Sequence, residues 1–229
     1  MSEADWEQVL VAATRLQALL PDAVLVGGSA AATHVGHRIS YDDDHVLTDL
    51  RERFDAVLAH LEEQGGWVTA RVNRPVLILG SLDGIETGVR QLTRRRPLEV
   101  EEVQGPGGPI RVPTVAEMLR IKAWLVLRRN ATRDYLDVVA IADRLSSGVA
   151  AQLLVDLDDY YEDQLGPGAR RVATQVAKQL AEPAPYDFSA VDLAVYRRLD
   201  PRWRDWDEVI RVSAALARGM LDLLSQRAG

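Results

Sequence analysis

Gly27-Gly28-Ser29, followed by Asp42-Asp43-Asp44, sets a turn that could cradle phosphate ahead of carboxylates that could hold metal. An apolar run, Ala23-Val24-Leu25-Val26, precedes the glycines, and the small residues Ala30-Ala31-Ala32 follow the serine. That pattern predicts a strand, a tight turn and a helix. Glycine lets the backbone approach an oxyanion closely, and the amides at a helix N-terminus favour negative charge, so a triphosphate suits the turn. The next stretch, Ile39 to Leu47, is expected to be extended, with Ser40, Asp42, Asp44 and Val46 on one face and Ile39, Tyr41, Asp43, His45 and Leu47 on the other. Two carboxylates with Cα atoms about 7 Å apart on one strand face can converge on a pair of Mg²⁺ ions, as in-line attack on an α-phosphate requires. A lone Gly-Gly-Ser is commonly a plain turn, and an Asp triplet a solvated loop. Their order and spacing, in a strand-turn-helix-strand context, make them a candidate site.

A second cluster lies downstream, in the run from Lys122 through Arg128-Arg129-Asn130 to Arg133-Asp134-Tyr135-Leu136-Asp137. Only two of the 27 basic residues are lysine, Lys122 and Lys178, so a compact ammonium within an apolar helix suggests a phosphate contact. The plainer reading is a lysine snorkelling from a half-buried helix. Asp134 suits the positive end of a helix beginning after Thr132. Asp137, about one turn further in, gains less from that end and is the better functional candidate. Arg128, Arg129 and Arg133 suit either phosphate or these carboxylates.

The elements that must position these groups follow from periodicity. Trp6, Val9, Leu10, Ala13, Leu16, Leu19 and Leu20 recur at helical spacing and stop at Pro21. Asp49 and Glu52 suggest a capping box for a helix closed by Gly65-Gly66. Short β-like runs then cover Trp67 to Val72, Val76 to Leu82 and Ile85 to Leu92, with Asp83-Gly84 as a hairpin turn. A further pair, Leu98 to Val103 and Ile110 to Val112, flanks Gly105-Pro106-Gly107-Gly108. From Pro113 the pattern turns helical, with a second capping box at Thr114 and Glu117 and helices around 132–146, 149–165, 168–181, 189–199 and 206–226. The expected class is α/β (α+β): a mixed-sheet domain over residues 1–112, then a helical domain over 113–229 that completes a cleft.

Composition fits a cytoplasmic enzyme: 229 residues, 47% hydrophobic, formal charge −7 and no stretch apolar enough to span a bilayer. The absence of cysteine excludes disulfides and thiolate metal sites. An acidic chain does not coat nucleic acid wholesale, but clustered arginines can grip phosphate locally. The clusters are Arg94-Arg95-Arg96, Arg128-Arg129 and Arg170-Arg171.

Gly27-Gly28-Ser29, Gly36-His37-Arg38-Ile39-Ser40-Tyr41-Asp42-Asp43-Asp44, Lys122 and Arg133-Asp134-Tyr135-Leu136-Asp137 together resemble the AbiEii/MenT-type nucleotidyltransferase toxins, within the polymerase-β-like nucleotidyltransferase superfamily. The match spans about residues 20–145. The resemblance implies transfer of a nucleoside monophosphate from an NTP to an acceptor, the 3′ end of tRNA in characterised relatives, by a toxin paired with an antitoxin. It implies that Gly27, Gly28, Ser29 and Arg38 bind nucleotide, that Asp42 and Asp44 ligate Mg²⁺, that Lys122 contacts the NTP phosphates, and that Asp137 is the later acidic catalytic residue. Asp43 and His45 depart from the family, where apolar residues are usual. The third carboxylate of the wider superfamily is not obvious, and Glu86 is the candidate.

Two other readings remain. His34, His37 and His45 crowd the Asp triplet and suggest a transition-metal hydrolase, a reading that leaves the glycine turn and Lys122 without a role. Alternatively, the chain is a catalytically inactive nucleotide-binding module.

Overall fold

The computed structural model describes residues 3–166, 171–189 and 192–228, and the chain divides into two compact units. The first comprises the chain up to Thr33 and Ile39–Thr114; the second comprises His34–Arg38 and the chain from Val115 onward. A single boundary near residue 113 therefore misses one feature, the short segment carrying His37 and Arg38, which packs with the helices.

In the first unit, α1 (Glu3–Leu19) leads into β1 (Val24–Leu25), α2 (Gly27–Val35), β2 (Asp43–Leu47) and α3 (Leu50–Glu62). Strands β3 (Trp67–Asn73), β4 (Leu77–Leu82) and β5 (Ile85–Gln91) complete a sheet of order β1-β2-β5-β4-β3. The β2–β5 pair is parallel and the others are antiparallel, so the sheet is mixed as the sequence predicts. Asp83 and Gly84, both at positive φ, turn β4 into β5. A separate ribbon of β6 (Val100–Gly105) and β7 (Gly108–Pro113) is tied to α1, where the Gln17 side chain donates to the Arg111 carbonyl at 2.9 Å and accepts its N–H at 2.8 Å.

Helices α1 and α3 cover one face of the sheet. Leu16, Leu50, Phe54 and Leu61 pack there against Leu47, Ile78, Leu82 and Val89. Because strand side chains alternate, Asp43, His45 and Thr87 share that buried face while Asp44, Glu86 and Arg90 lie on the other.

Three local expectations change. The strand starts at Asp43, not Ile39, because the Ser29 hydroxyl donates to the Asp42 carbonyl at 2.6 Å, bonding the backbone there from α2. Asp49 forms no side-chain cap on α3 and pairs instead with Arg53 at 2.9 Å. The expected 149–165 helix breaks into α6 (Ser147–Leu154), α7 (Leu157–Tyr160) and a 3₁₀ turn, Glu162–Gln164. Its acidic middle serves other ends: Asp158 accepts the Ala173 N–H at 3.2 Å, at the start of α8 (Val172–Ala181).

The second unit also contains α4 (Val115–Arg129), α5 (Thr132–Leu145) and α9 (Trp206–Ala228). The expected helix at 168–181 begins among residues 167–170, including Arg170, which lie outside the described residues. Of the expected 189–199 helix, residues 190–191 also lie outside, and Asp192–Val195 forms a 3₁₀ turn. Tyr135, Leu136, Val139 and Leu180 are fully buried, and Gly219 of α9 lets α6 approach closely, since an added Cβ would lie 3.1 Å from that of Ala151. Asp187 caps α5 from a distant loop, accepting the Thr132 N–H at 2.7 Å and hydroxyl at 2.8 Å.

Candidate active site

The glycine turn and the acidic strand meet in the first unit. Val26 donates its N–H to the Asp44 carbonyl at 2.8 Å, which fixes the turn against β2. Gly27 follows with φ +76°, a conformation that L side chains rarely adopt. A Cβ on Gly27 would lie 3.8 Å from Oδ2 of Asp44, so that carboxylate oxygen faces the turn. Ser29 is fully buried, and its hydroxyl is engaged by the Asp42 carbonyl. It positions Asp42 through the backbone.

The two faces of β2 differ as the alternation predicts. Asp42, just before the strand, is exposed, and within the strand the Asp44 side chain retains 29% exposure whereas Asp43 and His45 are fully buried. The Asp43 and His45 side chains approach to 3.3 Å. Burial pushes the Asp43 carboxyl well above the usual carboxylate range and pushes His45 down to about 3. Burial thus disfavours the charged form of each partner in this contact. Both side chains lie on the buried face, opposite the face that carries Asp44.

Strand β5 contributes what the sequence reading missed. Gly88 is the register partner of Asp44, and a Cβ there would fall 2.5 Å from Asp44 Oδ1. Two residues on, Arg90 donates from Nε to the same Oδ1 at 3.1 Å. A lone glycine inside a strand is the sequence sign of such a close approach. Glu86 lies on this face too, on the strand that pairs in parallel with β2.

The donor set on this face is all oxygen, which suits a hard ion such as Mg²⁺. Among the described residues no three His, Asp or Glu side chains form a ready-made ligand group. The three-histidine hydrolase is not supported, because His45 is turned into the core and His37 is committed to Asp137.

That second commitment lies in the helical unit. Asp137, fully buried on α5, accepts from His37 Nε2 at 2.7 Å, from Arg38 Nε at 2.7 Å and Nη2 at 2.9 Å, and pairs with Lys122 Nζ at 2.7 Å. Burial alone would raise the Asp137 pKa, but Arg38, then Lys122 and the His37 hydrogen bond, hold it well below the usual carboxylate range. Burial likewise works to lower the Arg38 pKa, and Asp137 raises it. Lys122 does not snorkel: its side chain is 2% exposed and its ammonium faces Asp137. Two cations against one carboxylate leave this centre with an excess positive charge. Asp134, one turn back, is buried and held bidentately by Arg129 at 3.1 and 2.7 Å.

The structure thus brings together Gly27, Gly28, Ser29, Asp42 and Asp44 in one unit, and Arg38, Lys122 and Asp137 in the other. Of the arginine clusters, Arg94 is buried and donates to the carbonyls of Arg96 and Pro97 at 2.9 and 3.1 Å, so it braces its own loop. Arg128 stacks over Trp124 at 5.6 Å.

No family model matches. The heme uptake protein MmpL11 of Mycobacterium tuberculosis is 30% identical over 236 aligned residues, covering 96% of this chain and 23% of that protein. The chain therefore spans about a quarter of the length of the curated relatives it matches. Among solved structures, a candidate nucleotidyltransferase from H. pylori aligns with a TM-score of 0.54 at 16% identity, over 99% of this chain and 98% of its own. The antibiotic-resistance factor ANT(2'')-Ia aligns with a TM-score of 0.53 at 12% identity, over 71% of this chain and 96% of its own. The fold of this chain, a mixed-sheet α/β unit and a helical unit, is similar to the folds of these two solved structures.

Proposed function

We propose that this protein is a Mg²⁺-dependent nucleotidyltransferase that moves a nucleoside monophosphate from an NTP to an RNA acceptor, the tRNA 3′ end, with release of pyrophosphate. The observation that carries the reading is the placement of the Asp44 carboxylate between Gly27 and Gly88, with Oδ2 toward the glycine turn and Oδ1 held by Arg90. Asp42 and Asp44 would hold the ion, with Glu86 as a third carboxylate on that face. When bound, Mg²⁺ supplies charge neutralisation for the phosphates. Gly27 and Gly28 open α2, whose N-terminus favours the triphosphate. Arg90 orients Asp44. Asp137 holds Arg38 and Lys122 in fixed positions, and their surplus positive charge favours an anionic substrate.

The resemblance to AbiEii/MenT-type proteins extends this to a toxin that blocks translation in the cytoplasm by altering tRNA, held in check by a cognate antitoxin. The test is incubation with each α-labelled NTP, Mg²⁺ and total RNA. Label retained on tRNA by the wild type and lost in Asp44→Asn supports the assignment. Label on no RNA with any NTP overturns the acceptor, and equal labelling by Asp44→Asn overturns the site.

A further inference from the structure

The helical unit contains an open cavity of about 520 Å³, lined by Arg129, Ala131, Arg133, Tyr186, Asp187 and Tyr196. Its construction points to a ligand that is flat, aromatic and anionic. Tyr186 is 77% exposed, an unusual state for an aromatic ring on a backbone fastened in place. That fastening comes from Asn130, which sits at φ +50° just after α4. Its carbonyl accepts the Tyr186 N–H at 3.0 Å, its Nδ2 donates to the Ala184 carbonyl at 2.8 Å, and its Oδ1 accepts from Tyr135 at 2.7 Å and from Gln179 at 2.6 Å. The ring is therefore presented from a braced segment, at low ordering cost to a ligand that stacks on it.

The charges around the rings are arranged for phosphate. Arg129 is pinned by Asp134 and so keeps a fixed place on the wall. Arg133, near the start of α5, is exposed, and burial and Asp187 raise the Tyr196 pKa while Arg38 and Arg133 oppose that rise. The acid in the lining, Asp187, has one oxygen committed to the amino end of α5. Two guanidinium groups and two phenol rings make a combination that recognises a nucleotide by its base face and its phosphate, without reading base identity. The cavity volume lies in the range of small-ligand sites.

We propose that this cavity seats one nucleotide of a single-stranded RNA, its base stacked on Tyr186 and its phosphate on Arg133. This rests on the reading of the chain as a transferase with an RNA acceptor, and it gives the acceptor strand a binding site on the helical unit. The substitutions that test it are on the surface and spare the fold.

The experiment is fluorescence anisotropy of a labelled oligoadenylate octamer with the full chain, over a series of salt concentrations, beside binding of ATP. Tyr186→Ala is expected to weaken octamer binding about 5- to 150-fold, the effect of losing one base–aromatic stack. Arg133→Gln is expected to flatten the slope of log affinity against log salt by about 0.7, the value for one phosphate contact on a single strand. ATP binding should be unchanged in both. The proposal is overturned if the wild type does not bind the octamer, if both variants bind it as the wild type does, or if Tyr186→Ala weakens ATP binding instead. Transfer of labelled nucleotide is read separately: its presence with unaffected variants overturns the cavity alone, while its absence with any NTP overturns the enzymatic reading.

Discussion

The Asp44 carboxylate occupies space that exists only because residue 88 is glycine: a single added carbon on Gly88 would lie 2.5 Å from Oδ1. The carboxylate is also held at 3.1 Å by Arg90 from the same strand. Position 88 thus decides where the Asp44 carboxylate can be.

Gly88→Ala is accordingly expected to displace Asp44 and leave the fold intact, since the nearest atom is the end of a flexible side chain. Misplacement by about an ångström costs roughly 100-fold in turnover. Transfer rate and circular dichroism measured together check this; a variant with wild-type turnover would remove Asp44 from the chemistry.

Neighbouring aspartates should behave in opposite ways. Asp44→Asn is expected to abolish transfer while melting normally, because the side chain lies on the accessible face. Asp43→Asn should keep most activity, since its carboxyl is buried on the opposite face, beside Thr87 and His45. Asp43→Ala, by contrast, leaves His45 with a cavity and is expected to lower the melting temperature. Thermal melts and single-turnover assays on the three variants separate the roles.

Asp137→Asn is expected to cost stability as well as activity. It leaves Arg38 and Lys122 buried against a neutral amide, and breaking a buried pair in this way costs about 3–5 kcal/mol. Lys122→Met should be milder, because Asp137 keeps its bidentate bond to Arg38. Urea titration of both variants gives the order; an Asp137→Asn chain as stable as the wild type would mean the cluster carries no structural weight.

The same carboxylate sets an acid limit. Its folded pKa lies below the unfolded value of about 3.9, so its contribution is complete above that pH and disappears as pH falls through the folded value. Melting temperature against pH should drop in the wild type below about pH 4, and less steeply in Asp137→Asn.

The sequence by itself determined the strand-turn-helix around Gly27, the mixed sheet, the helical second half and the opposite facing of Asp43 and Asp44, because periodicity and glycine placement are local properties. It left Lys122 open between phosphate contact and snorkelling. Only the tertiary structure decided that Lys122 is buried against Asp137, that His37 and Arg38 belong with the helices rather than with the strand they precede, and that Asp187 caps α5 from a distant loop. Those outcomes depend on burial and on partners about 15 to 100 residues apart in the chain. A side chain's charge state and its partner are set by what packs around it, and no local pattern carries that information.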